Sequence, residues 1–436
     1  MPIVGGSWED SGRTRSRAFP KDLSKIVAER WNNLVAGDYV VPPLPPNRLL
    51  RELMETVYLS AAIPEEGQYA QFNIIATPLT DASENSSLGQ IWPFETPRPF
   101  SIDEIRRLAP AVDFKKSAIL TKWNADRWHI AGLVDLGTSW ARARIGLQYH
   151  YKFPACLFLQ IDRVGRIRAY QGQYLVGELE DGQIKGQEGL TFVLGLHGPT
   201  HNGLIAIQPQ IKYPELEEPR ESHDFQFIAF WNTFAALANC VSEEAHGGAI
   251  VIAPARKSPS KQLRIKYQQK SPVLRDVFID FMNIRHRVAD HYVRMERGET
   301  SVESEMAVAE LQLNEKHLRL VEAIRFVARL SCCDGAIVIS EDLRLLGFGA
   351  EIRSELKPRT EIREVVHDLK RIHRPLNLEE FGQRHRSAIK LVSREPKYSA
   401  LVVSQDGPIS IIWSEKQNLV NVRRGANLVN LNMPWA

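Results

Sequence analysis

The stretch CCDGAIVIS, residues 332–340, decides the fold of the C-terminal part of the chain. Ahead of it Leu318, Val321, Ile324, Val327 and Leu330 recur at helical spacing, and the run ends at Ser331. The chain then turns abruptly into an apolar strand that opens with Asp334, Gly335 and Ala336. A helix followed by a buried strand predicts a mixed α/β unit. A carboxylate at the start of such a strand suits a divalent ion, because the following Gly335 lets a ligand approach the backbone.

Further on, FGQRHRSAIKLVSR (381–394) places Gly382 and Gln383 before Arg384, His385, Arg386 and Ser387, at the start of a helix-compatible run. Cations in a first turn oppose the helix dipole, a penalty that a bound anion reverses. Free N–H groups and guanidinium forks together suit a triphosphate. A third element is a hairpin: residues 400–404 and 409–413 are strand-like and flank Asp406-Gly407, a turn signal. The hairpin either completes the sheet or brings Gln405 or Asp406 towards a metal.

Working back towards the N-terminus, residues 1–40 read as an irregular polar segment, and VPPLPPNR (41–48) stiffens the chain before a helix through Leu49, Leu50, Leu53 and Val57. From 68 to 215 short apolar runs alternate with turn signals, including FNIIATP, ILTKW, CLFLQIDRVGRIRAY and LTFVLGLHG, which predicts a mixed sheet made mostly of strands. Ser101 stands before Glu104 at capping-box spacing and predicts a helix over 101–108. Residues 225–241 predict a buried helix and 247–254 a core strand. Arg256 to Lys270 carries six positive charges and no acid. Alternation in LRIKY makes it a half-buried strand with a solvated basic face, with a phosphate-binding patch as the alternative. After a helix over 273–297, the polar RGETSVESE (297–305) reads as a linker, which sets a boundary near 300 and gives 303–436 its own core. The region 41–297 is single or divided near 220.

The 436 residues predict two to three domains at roughly 100–200 residues each. Lys+Arg 55 against Asp+Glu 52 leaves +3, too even for a nucleic-acid partner, so phosphate recognition has to be local. No apolar stretch approaches the ~18 residues of a membrane span, and the N-terminus lacks the apolar core of a secretory signal. A cytoplasmic protein without a membrane partner is expected. Cys156, Cys240, Cys332 and Cys333 form no metal spacing and are expected as reduced, mostly buried thiols. GFG at 347–349 reads as a strand-end turn, and His367 and His373 as solvated residues on a helical stretch. Trp123, Trp128, Trp140, Tyr149 and Tyr151 either line a small-molecule pocket or pack a core.

The ordered pair of triplets, Asp334-Gly335-Ala336 and Arg384-His385-Arg386, resembles the diadenylate cyclase (DAC) domain over about 310–436. The segments 59–78, 101–114 and 128–137 resemble the sensor region (DACNV-like) found ahead of such domains. The resemblance implies a mixed-sheet sensor region followed by a mixed α/β nucleotidyltransferase domain that condenses two ATP into cyclic di-AMP and pyrophosphate. It implies Mg²⁺ or Mn²⁺ on Asp334, phosphates gripped by Arg384, His385 and Arg386, and nucleotide contacts from Gly335, Ala336, Gly382, Gln383, Ser387 and Ser404. It also implies a homo-oligomer, since two clefts have to face each other, and an unidentified signal at the N-terminal region. Two positions depart from the family: Gln383 replaces a small hydroxyl residue and Gln405 an acid, so Asp406 or Glu351 would complete the metal site. The alternative is a catalytically inactive sensor of ATP or cyclic di-AMP on the same fold. HGGAIVIAP (246–254) and the Arg-His-Arg of 285–287 echo the C-terminal motifs, either as a degenerate second copy with Gly247 in place of the acid or by coincidence.

Overall fold

The computed structural model describes residues 17–33, 43–64, 67, 69–79, 88–145, 147–148, 156–172, 174–185, 191–212, 219–244, 247–255, 258–299, 302–367, 372–405 and 408–426. It is a mixed α/β protein with two mixed sheets. The chain divides into two units, one of Met1–Ala141 with Tyr151–Gln187, the other of Arg142–His150 with Glu188–Ala436.

The first unit runs α1 (Pro20–Arg30), α2 (Asn47–Ala62), β1 (Phe72–Pro78), β2 (Gln90–Pro99), α3 (Ile102–Leu108), β3 (Ser117–Trp123), β4 (Trp128–Asp135), α4 (Gly137–Arg144), β5 (Leu157–Ile161), β6 (Arg166–Gln171), β7 (Tyr174–Glu180) and β8 (Gln183–Lys185), with α4 reaching across the division. Its sheet has the order β2-β4-β3-β1-β5-β6-β7-β8, with β1 parallel to β3 and antiparallel to β5. Leu49, Leu50, Leu53 and Val57 of α2 pack on Phe72, Ile74, Leu157 and Leu159. The N-terminal segment expected to be irregular contains α1, whose Leu23 and Val27, with Trp31 just beyond it, are buried at four-residue intervals in the same core. So narrow a stripe in a polar sequence is easily missed. Ser101 caps α3 as expected, accepting from the Glu104 backbone N–H at 3.3 Å. Trp123, Trp128 and Trp140 are buried, which favours the packing role; Tyr149 and Tyr151 lie outside the described residues.

The second unit continues with α5 (Thr191–Ile207), α6 (Pro219–Glu243), β9 (Gly248–Ala253), β10 (Leu263–Ser271), α7 (Val273–Glu296), α8 (Glu303–Arg329), β11 (Ala336–Ser340), β12 (Leu345–Ile352), β13 (Glu361–His367), β14 (Ile372–Pro375), α9 (Gln383–Arg394), β15 (Ser399–Val403), β16 (Ile409–Lys416) and β17 (Leu419–Ala426). Its strand order is β10-β12-β11-β9-β15-β16-β17-β13-β14. Ile250, Ile252, Ile337 and Ile339 face α6, α7 and α8 on one side. On the other side, Val251, Ala336 and Val338 meet Leu391 of α9, and Ala400, Val402 and Val422 meet its Ala388, Ile389 and Val392. Strands covered on both faces read as unbroken apolar runs, as AIVIA and AIVIS do.

Five expectations are corrected here. The boundary near 300 is not a domain boundary: β9 and β10 belong to the same sheet as β11 to β17. Parallel strands need a long crossover, and 297–305 runs from the end of α7 into the start of α8 within the one joining β9 to β11. A polar helix–helix turn and an interdomain linker have the same composition. From Thr191 on, LTFVLGLHG lies in helix α5 rather than a strand, since a short apolar run does not declare its period. EIREVVHDLKRIHR contributes the strands β13 and β14, not a helix, and GFG lies inside β12 rather than at a turn. Cys156 and Cys240 are buried, but Cys332 and Cys333 are exposed.

The echo of 246–254 in 333–340 is a pair of adjacent parallel strands, Ile250 opposite Ile337 and Ile252 opposite Ile339. Arg285, His286 and Arg287 sit inside α7, where buried His286 donates through Nδ1 to the Lys212 carbonyl at 2.7 Å.

A fragment 303–436 would lack β9, which separates β11 from β15, and should give no cooperative unfolding transition. A fragment 188–436 keeps all nine strands and should unfold cooperatively, as thermal circular dichroism would report. Burial pushes the Cys156 thiol up to about 12. A thiol reagent should therefore titrate two of the four cysteines in the folded protein and all four in denaturant.

Candidate functional site

The second unit carries a cleft of about 1010 Å³ along one edge of its sheet. Its position follows from strand direction. β11 and β9 run parallel and start at this edge, while β15 runs antiparallel to β9 and ends here, with Val403 opposite Gly248. Asp334, Gly335 and Ala336 at the start of β11, Glu351 near the end of β12, and Ser404 and Gln405 after β15 therefore line one opening.

Gly335 is required by the sheet. Its φ is +113°, and a Cβ there would stand 2.5 Å from the Gly349 carbonyl carbon on β12. The close approach for which a glycine was expected is thus made by a neighbouring strand. Gly382 is the opposite case: φ −65° suits any residue, and a Cβ would meet nothing within 4 Å. It would point into open space at the mouth of α9.

α9 is aimed at the cleft by packing: Ala388, Ile389 and Val392 are buried against β15, β16 and β17, which leaves its N-terminus at the strand ends. No side chain caps that N-terminus, and its first turn contains no acid. Gly382, Gln383, Arg384, His385 and Ser387 all line the cleft. Arg386 does not; it turns to Glu379, with Nη1 at 3.3 Å from Oε2. With Arg386 turned to Glu379, the expected three-residue grip is reduced to Arg384 and His385. His385 is fixed by a 2.9 Å contact between Nε2 and Ser410 Oγ and by stacking on Phe381, ring centroids 5.7 Å apart.

Arg264 and Lys266 of edge strand β10 complete the wall. LRIKY is a strand with alternating burial at its start, as expected, and the basic side chains read as solvated line this opening. The available signal was the six-cation, acid-free run of 256–270.

Among the described residues no three His, Cys, Asp or Glu side chains converge. Asp334 and Glu351 line the same cleft, and Glu351 follows Ala350, the partner of Ala336 across the strands. Glu351 accepts from Arg353 Nε at 2.9 Å and lies 3.9 Å from Arg264. Asp406 lies outside the described residues. Two carboxylates on an open cationic cleft do not make a closed cage. A hard divalent ion held by them would keep water and take its other ligands from a phosphate.

In the first unit, the family model described as "Probable sensor domain DACNV" matches residues 39–135. The match takes in α2, α3 and β1 to β4, and leaves β5 to β8 and the whole second unit outside it. No curated protein matches the chain. Among the described residues no helix is long and apolar enough to cross a membrane.

The two glycines should separate in a stability test. Gly335→Ala is expected to lose about 1–3 kcal/mol from backbone strain alone, and Gly382→Ala to stay within about 0.5 kcal/mol of wild type in urea unfolding.

Proposed function

We propose that the second unit is a diadenylate cyclase domain that condenses two ATP into cyclic di-AMP and two pyrophosphates, under control of the sensor-like first unit. The observation that carries this reading is the meeting of Asp334-Gly335-Ala336 with the uncapped N-terminus of α9 in one cleft that also holds Arg264 and Lys266.

The N–H groups of the α9 first turn and Arg384 bind phosphate oxygens, and Arg264 and Lys266 neutralise the rest of the triphosphate. His385, oriented by Ser410 and Phe381, contributes a positioned hydrogen bond to the same group. Ala249, Ala336 and Ala350 leave room for a planar base. Asp334, with Glu351, would hold Mg²⁺ or Mn²⁺, which would supply Lewis acidity to polarise the α-phosphate or lower the pKa of the attacking hydroxyl. Each 3′-oxygen bonds to the other nucleotide's α-phosphorus as the bond to pyrophosphate breaks, and the hydroxyl proton passes to solvent. One cleft holds one ATP, so two copies have to face each other. Catalysis is then positioning plus charge stabilisation.

A second reading, a nucleotide sensor without chemistry, is favoured by the Arg353 bond to Glu351 and by Gln405 on the cleft wall. Incubation of the full chain with ATP and Mn²⁺ or Mg²⁺ separates the two. Cyclic di-AMP identified by mass, lowered roughly 10²-fold or more by Asp334→Asn, supports the cyclase. Binding of ATP or cyclic di-AMP without product supports the sensor, and absence of both product and binding overturns the two together. Arg264→Ala and Lys266→Ala should each weaken ATP binding about 10-fold or more in calorimetry, the loss of one charge-assisted contact.

A further inference from the structure

Helix α8 buries one side, Leu320, Val321, Ile324 and Val327, in the core of the second unit. Its other side exposes Val308 (55%), Leu311 (71%), Leu318 (44%) and Phe326 (64%). At about 100° per residue these four share one stripe along a helix roughly 40 Å long, more than scattered surface residues account for.

The charges on the same helix are segregated. Residues 303–315 carry Glu303, Glu305, Glu310 and Glu315 with no Lys or Arg, and 316–329 carry Lys316, Arg319, Arg325 and Arg329 against Glu322 alone. The helix dipole accounts for such a bias only in the first and last turns. Packing on α7 accounts for another part: Lys316 meets Asp280 at 2.8 Å, Glu305 lies 3.5 Å from Arg294, and Glu310 accepts from Tyr292 at 3.0 Å. Glu315 and Arg319 pair along the helix at 2.7 Å, and both are more than half exposed.

We propose that this stripe is a self-association surface on which α8 of one copy lies antiparallel to α8 of a second. That orientation sets each acidic half on a basic half, whereas a parallel pair would set like on like. It also places Val308 of one copy against Phe326 of the other, with Leu318 beside the two-fold axis, so that one patch complements itself as an isologous dimer requires. The contact needs neither nucleotide nor metal and stands whether or not the cleft is a cyclase.

The test is sedimentation equilibrium of the full chain without ATP or divalent ions. A micromolar dimer is expected, and L311E/F326E should be monomeric with an unchanged far-UV spectrum. R319E/R325E should weaken association at least tenfold, and adding E310R/E315R in the same chain should restore it, because only antiparallel helices recover complementarity when both halves are exchanged. A monomeric wild type, or a dimer indifferent to L311E/F326E, overturns the proposal. If L311E/F326E does not fold, the charge exchange decides, and a failure to restore association overturns it.

Discussion

Everything in the second unit hangs on the parallel pairing of β9 with β11, Ile250 beside Ile337 in the interior of a nine-stranded sheet. Both strands are buried along their whole length, so every backbone N–H and C=O they carry has to be satisfied within the sheet. The pairing sends the chain through β10 and the α7–α8 hairpin before it can return, which keeps Glu188–Ala436 within one unit. The same pairing aligns the two strand starts, and antiparallel β15 brings its own end to that edge. The cleft is the space left where these ends meet the N-terminus of α9.

At this edge backbone sterics and electrostatics act together. Gly335 lets the start of β11 approach β12 where no Cβ would fit. The uncapped first turn of α9 and the cations Arg384, Arg264 and Lys266 create a positive opening, with Asp334 and Glu351 as the carboxylates on its wall. In the first unit the DACNV match covers α2, α3 and β1 to β4, while the sheet goes on through four further strands. The chain thus joins a sensor-like sheet to a second sheet with a cation-lined cleft at its strand ends.

The triplet at 334–336 and the helix beginning at 383 were legible because their signals are local: an apolar run after an acid and a glycine, and an amphipathic run after Gly382. The helix α1 was not, since three buried residues four apart make too small a stripe in a polar sequence. The division near 300 was misplaced because its evidence was the composition of 297–305, and composition does not tell a turn inside a crossover from a linker between domains. The triplet at 384–386 does not state that Arg386 leaves its neighbours, because Glu379, which holds it, lies on the preceding turn outside the motif.

The sequence by itself determined the α/β class, most strands and helices, and the two triplets, all of which depend on residues within one or two turns of each other. Only the tertiary structure decided where the units divide, that Arg264 and Lys266 share an opening with Asp334, and that Arg386 leaves it. Those outcomes depend on which strand pairs with which and on where each side chain points. Pairing across long separations is set by burying both faces of β9 and β11 at once, a condition that no local stretch of sequence states.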